Sequence, residues 1–169
     1  MNDVQWGLLD YLLIDMPPGT GDIQMALSRL LPQAELLVVT TPAKNAQKVA
    51  SRVTDMARRS YLKVIGVVEN MSVFVAPDGS EHAIFGSGGG RRLAKLTGAP
   101  LVASIPIEPA VSATGDEGTP IVISAPNSAA AIALRELSER IVTELLPPIE
   151  MAGCSARIDA LFEKLAHNA

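Results

Sequence analysis

Apolar residues recur along this chain in two rhythms. Short, nearly continuous runs rich in Val, Ile and Leu occupy Leu9 to Asp15, Glu35 to Thr40, Lys63 to Asn70, Leu101 to Ile105 and Ile121 to Ser124. Continuity, rather than alternation, is what a parallel strand covered on both faces requires, so these runs predict strands. Between them the apolar spacing lengthens to three or four residues and predicts helices over Ile23 to Leu31, Ala46 to Ser60, Ser87 to Thr97, Pro109 to Gly115 and Ala129 to Leu146. In the second of these, Val49, Val53, Met56 and Ala57 share a stripe, with Lys48, Arg52, Arg58 and Arg59 mostly off it. That basic end reads as a solvated face whose last-turn arginines complement the helix dipole, with an anion site as the alternative. Strands alternating with helices predict right-handed βαβ units in a three-layer α/β/α domain with a mostly parallel sheet.

Pro147-Pro148 closes this domain, residues 1–146, because two prolines cannot supply the N–H groups a helix needs. Residues 147–155 read as a linker. In residues 156–169, Ile158, Leu161, Phe162 and Leu165 form the apolar stripe of a short amphipathic helix. Arg157 and Lys164 are balanced by Asp159 and Glu163, so docking on the body or a partner subunit is expected rather than membrane binding.

Composition narrows the function classes. The 169 residues suit one domain, and 48% hydrophobic with 19% charged residues is a globular balance. A net charge of -4 and 4% aromatic content weigh against a nucleic-acid partner. No stretch approaches the roughly 18 apolar residues of a membrane helix, and the N-terminal residues lack signal-peptide character, so the cytoplasm is the expected location. Cys154 is the only cysteine, which rules out an intrachain disulfide and leaves one thiol, too few to hold a metal cluster.

Candidate chemistry concentrates in Tyr11-Leu12-Leu13-Ile14-Asp15-Met16-Pro17-Pro18-Gly19-Thr20-Gly21-Asp22. Ligands of open α/β sheets collect at the carboxyl ends of strands, which is where Asp15 falls and where a Mg²⁺-triphosphate would sit. Gly19 lets a backbone N–H approach a phosphate oxygen, in a turn free to move with the γ-phosphate. The plainer alternative is a strand-to-loop junction with Asp15 capping the next helix. Asp22 is read as the cap of the helix beginning at Ile23.

This run resembles the corresponding stretch of the Mrp/ApbC family of P-loop ATPases, relatives of the Min and Par ATPases implicated in carrying iron-sulfur clusters. Gly66-Val67-Val68-Glu69-Asn70-Met71-Ser72 and Ile84-Phe85-Gly86-Ser87-Gly88-Gly89-Gly90 look like two further segments of that family, in matching order. The resemblance implies a P-loop NTPase-like fold with ATP and Mg²⁺ as cofactors and a homodimer closing around two nucleotides. By the same resemblance, Asp15 contacts Mg²⁺ through its water shell and Gly19 senses the γ-phosphate. Asn70 offers donors and an acceptor to the adenine edge, and Pro106, Ile107 and Glu108 form the opposite wall of the base site. Iron-sulfur apoproteins are the implied partners.

The chain departs from the family in two places. No G-x-x-x-x-G-K-[ST] occurs, so it reads as the C-terminal portion of such an ATPase, not expected to hydrolyse ATP alone. The lost strand is central in this fold class, and its absence should leave an unpaired sheet edge. Where cluster carriers have Cys-x-x-Cys, this chain has Ala76 and Gly79, neither of which can ligate iron. Val73 to Ala76 and His82 to Phe85, around Pro77-Asp78-Gly79-Ser80, predict a β-hairpin there, with His82 a polar strand residue. Gly86 to Gly90 lacks a following Lys-Ser/Thr and is read as close backbone packing or a dimer contact. Two alternatives to cluster transfer are a nucleotide-responsive interaction module and a fragment without separate activity.

Overall fold

The structure is a computed structural model and describes residues 4–17 and 21–147. Gly19, Cys154 and the C-terminal helix expected over 156–169 lie outside the described residues. The elements are α1 (Asp22–Leu30), β1 (Glu35–Thr40), α2 (Lys44–Arg59), β2 (Lys63–Val75), β3 (Glu81–His82), α3 (Gly89–Thr97), β4 (Leu101–Ile107), α4 (Pro109–Asp116), α5 (Ile121–Ser124) and α6 (Ala129–Arg140). A π-helical turn, Ile141–Leu145, extends α6.

β2 is the central strand. Val67 pairs with Val38 on β1 and with Leu101 on β4, both parallel, so the two neighbours flank β2 on opposite sides. Farther along, Phe74 pairs with His82 of antiparallel β3 and with Ile107 of β4, which places the hairpin strand on the β1 side. Successive side chains of a strand point to opposite faces, and β2 uses this to bury both. Val67 joins Val38, Ala50, Leu93 and Ala99 in a core beneath α2 and α3. Val68 joins Val102, Ile105, Ala130 and Leu137 in a second core beneath α6. Each fully buried Val or Leu stabilises by about 1.5–3 kcal/mol relative to exposure. The α/β class with a mostly parallel sheet between helical layers is therefore the one expected from the apolar runs.

Two elements differ from expectation. Leu9 to Asp15 is irregular, with a bend at Asp10, and pairs with no strand among the described residues, and Leu13 remains 86% exposed. Its apolar run demands neighbours on both faces, and no described strand lies beside it to supply the ladder. One long-range tie holds it: the Tyr11 hydroxyl donates to the Leu146 carbonyl at 2.5 Å. Ile121 to Ser124, expected as a strand, is the short helix α5. Pro120 starts it, its carbonyl accepting from the N–H groups of Ile123 and Ser124, so local turn formation overrides the β-branched composition. β2 also runs past Asn70 to Val75, and the predicted hairpin closes as β2–β3, with β3 shorter than its apolar pattern suggests.

Gly66 lets β4 approach β2. A Cβ there would lie 2.7 and 2.9 Å from the two γ-carbons of Val102. Gly66→Ala is expected to destabilise the protein by about 1–3 kcal/mol through overpacking. Thermal melts should show part of that loss recovered when Val102→Ala is added, and no recovery would mean that the clash is not the cause.

Candidate functional site

Because β1, β2 and β4 run parallel, Thr40 at the end of β1, Asn70 just past the part of β2 that pairs with it, and Ile107 at the end of β4 lie toward the same edge of the sheet. A cleft of about 700 Å³ opens there and continues along β1. Asp15, Met16 and Pro17 form one wall; the strand from Leu36 to Thr40 and the α2 residues Val49, Val53 and Met56 form the other; Asn70 lines it from β2. The buried Gln24 of α1 holds the near wall by donating from Nε2 to the Pro17 carbonyl at 2.7 Å. Two of the residues singled out in the sequence, Asp15 and Asn70, are thus brought together.

The others are placed differently. Pro106, Ile107 and Glu108 do not line the cleft. The Glu108 carboxylate accepts from the Ala130 N–H at 3.0 Å while Ser128 Oγ accepts from Ala131 N–H at 3.3 Å, so both cap the start of α6. Asn70 Oδ1 accepts from the Met71 N–H at 2.8 Å, and Met71 adopts a left-handed φ of 56° where the strand turns toward the hairpin. The side-chain amide N–H groups of Asn70 make no hydrogen bond among the described residues. Asp15 is exposed and likewise makes none.

The lining decides what the cleft can hold. Among the described residues it contains one carboxylate, the amides of Gln24 and Asn70, the hydroxyls of Thr40 and Thr41, and otherwise apolar side chains, with no Lys or Arg. A Mg²⁺-triphosphate needs cations or a cradle of N–H donors around its oxygens. These residues do not fit that group by themselves. They do fit part of such a site, with Asp15 free to meet a hydrated cation. The free edge of β1, whose other side is taken by β2, also faces this cleft.

One residue that sequence reasoning missed is Glu69. It is only 6% exposed, and its carboxylate accepts from the Gly90 N–H at the start of α3. A Cβ on Gly90 would lie 2.6 Å from Glu69 Cβ, and one on Gly89 would lie 2.7 Å from Pro42 Cα. The Gly-rich segment therefore serves close packing of a helix end against β2. An ionisable residue inside an apolar run, paired with glycines at a later helix start, was the available signal.

At the hairpin, Ala76 and Gly79 are bonded to the turn itself: Gly79 N–H donates to Ala76 O, and Ala76 N–H to Ser80 O, both at 2.9 Å. Asp78 Oδ1 accepts from Ser80 Oγ at 2.6 Å and from Ser80 N–H at 2.9 Å, and Ser80 Oγ meets His82 Nε2 at 2.9 Å. These bonds, the Ser80 hydroxyl first, hold the Asp78 carboxyl below the usual aspartate range. Among the described residues no three His, Cys, Asp or Glu side chains cluster in a metal-binding arrangement.

The family model described as ParA, NUBPL iron-transfer P-loop NTPase, matches residues 1–142. The chain belongs to this family. Membership bears out the resemblance to the Mrp/ApbC ATPases. This NUBPL-family chain is 47% identical over 163 residues to the iron-sulfur cluster carrier protein of Mycobacterium tuberculosis, covering 93% of itself and 42% of that protein. It thus spans less than half the length of that relative. Among solved structures it is similar to a nucleotide-binding protein from Archaeoglobus fulgidus in complex with ADP, with a TM-score of 0.59 and 35% identity, over 67% of this chain and 47% of that one. It is also similar to the cell division ATPase MinD of Pyrococcus furiosus, with a TM-score of 0.52 and 26% identity, over 63% and 41%. No helix among the described residues is long and apolar enough to cross a membrane.

The hairpin carries a pH signature. A depressed carboxyl pKa means that the Asp78 bonds support the turn above the unfolded-state value and are lost as pH falls through the folded one. A carboxyl-carbon NMR titration should place the Asp78 midpoint below that of an unfolded aspartate. Ser80→Ala should move the midpoint upward, and an unmoved midpoint would show that Ser80 is not the cause.

Proposed function

We propose that this chain is the base-binding and switch portion of an ATP-dependent iron-sulfur cluster carrier. The observation that carries the reading is the meeting of Asp15 and Asn70 in one cleft at the carboxyl edge of a parallel sheet, in a chain of the NUBPL family. The similar Archaeoglobus protein is described as nucleotide-binding and in complex with ADP, which supports a nucleotide at this edge. Asp15 would hold Mg²⁺ through its water shell, and Gly19 would be the residue that meets the γ-phosphate. Asn70 would offer the adenine edge its amide N–H groups, which make no hydrogen bond among the described residues, whereas Pro106, Ile107 and Glu108 do not line this cleft and are left out of the base site. Bound Mg²⁺-ATP would supply the phosphoryl chemistry. The donors that cradle its phosphates come from polypeptide beyond this chain, which spans 42% of the Mycobacterium relative. A strand of that polypeptide would pair with the edge of β1 that is free among the described residues, leaving the end of the cleft beside Asp15 and Asn70 to the nucleotide.

The whole protein works as a homodimer in the cytoplasm and passes a cluster to iron-sulfur apoproteins. Ala76 and Gly79 cannot bind that cargo, so its ligands lie elsewhere in the complete protein or in the recipient. A second reading, a nucleotide-responsive module without cluster transfer, is favoured by the hydrogen-bonded hairpin at the expected cluster position.

The chain joined to a phosphate-loop segment should hydrolyse ATP with Mg²⁺. Asp15→Ala should lower kcat about 100-fold or more, whereas Asn70→Ala should chiefly raise KM for ATP. Asp15-dependent turnover by the chain alone would overturn this division of labour. Anaerobic reconstitution of the joined protein with iron and sulfide separates the two readings. A stoichiometric cluster that survives Cys154→Ala supports the carrier, and its absence under every condition supports the module.

A further inference from the structure

α2 and α3 lie side by side on one face of the sheet over the Val38, Ala50, Val67 and Leu93 core. Together they carry Lys44, Lys48, Arg52, Arg58, Arg59, Arg91, Arg92 and Lys95, eight of the chain's 14 Lys and Arg, but only Asp55 of its 18 Asp and Glu. All eight cations are exposed. The ion pairs among the described residues are Lys63 with Glu35 and Arg140 with Glu144, so none of the eight has a carboxylate partner there. A chain of net charge -4 has gathered its positive charge onto one unneutralised face.

Helix physics does not account for this gathering. Arg58, Arg59 and Lys95 complement the negative ends of their helices, but Lys44, Lys48, Arg91 and Arg92 sit toward the positive ends, where no first-turn acid offsets them. Lys44 with Lys48, Lys48 with Arg52, and Arg91 with Lys95 are like-charged pairs at i, i+4, which oppose helix formation. At about 100° per residue, Lys44, Lys48, Arg52 and Arg59 fall within about a quarter of the circumference of α2. Two of the guanidinium groups are also held in place. Arg58 donates to the Thr97 carbonyl at 3.0 Å at the end of α3, and Arg92 donates to the Ser87 carbonyl at 3.1 Å and to Gln47 Oε1 of α2 at 3.3 Å. The arginines thus tie the two helices into one rigid cationic surface.

We infer that the α2–α3 face is a docking surface for a carboxylate-rich face of another protein. Charge complementarity selects anions, and fixed guanidinium forks match carboxylates. Nucleic acid fits less well, since neither helix carries an aromatic residue for base stacking and the remaining carboxylates repel an extended polyanion. A lipid surface fits less well because the face lacks the Trp, Phe and Leu stripe that inserts into a bilayer. Asp55, inside the cationic stripe, calls for one cation within the partner's acidic face and so sets its register. This surface is independent of the nucleotide reading, because none of its cations lines the cleft.

The test uses the full chain and three probes at low and at physiological salt: a labelled helical peptide with glutamates along one face, duplex DNA, and phosphatidylglycerol vesicles. The peptide should bind in preference to the other two at physiological salt. The double substitution Lys48→Gln with Arg52→Gln, and separately Arg91→Gln with Lys95→Gln, should each weaken peptide binding about tenfold. Arg29→Gln with Arg135→Gln, which changes net charge equally elsewhere, should leave it unchanged, and thermal melts confirm that all variants are folded. Equal loss in the Arg29/Arg135 control, or preference for DNA or vesicles, would overturn the assignment. So would self-association through this face in sedimentation, or a large gain in peptide binding on deleting residues 148–169, since either assigns the face to this chain itself.

Discussion

The parallel hydrogen-bond ladder of β2 with β1 and β4 is the constraint on which the other features rest. Because β2 has a strand on each side, every second residue is driven to each face, and Val67 and Val68 become the centres of two separate cores. Helices α2 and α3 follow one set and α6 the other. Running the three strands in the same direction sends their carboxyl ends to one edge, so loop chemistry gathers there without any further device.

That edge is organised by carboxylates with unlike duties. Glu69, in β2 opposite the last residue of β1, accepts from the first turn of α3 on one face, and Glu108, just past the end of β4, accepts from the first turn of α6 on the other. Each places a negative charge at the positive end of a helix, and each thereby fixes how a covering helix meets the sheet. Asp15 has no such obligation. The contrast marks it as the carboxylate at this edge available to a ligand, whereas Asn70, half-committed through Oδ1 to Met71, retains its donors.

The β1 side is unfinished in the same physical sense. Among the described residues β1 has a ladder on only one edge, so its backbone groups and side chains on the other side face the cleft. The irregular run before Asp15 stands across that cleft, with Leu8 and Leu13 largely exposed. On the exposed side of α2, whose other residues line the cleft, and on α3, positive charge is concentrated where the helices' own electrostatics disfavour it. The two faces therefore present different chemistry to their surroundings, one apolar and short of a strand, the other cationic and rigid.

The apolar runs alone determined β1, β2 and β4 and the helices between them, because burial on both faces leaves a pattern that needs no knowledge of neighbours. The Asp-Gly turn likewise announced the hairpin, since its conformational preference is local. Tertiary structure decided whatever depended on a partner in space. Leu9 to Asp15 has the residues of a strand but no adjacent ladder, and Ile121 to Ser124 follows the turn started by Pro120 rather than its β-branched composition. Glu69 drew no reading from the sequence and Glu108 was expected in the wall of a base site, and only the approach of α3 and α6 showed both to accept from helix starts. Asp15 and Asn70 line one cleft although they are far apart in the chain, and no local pattern encodes that placement.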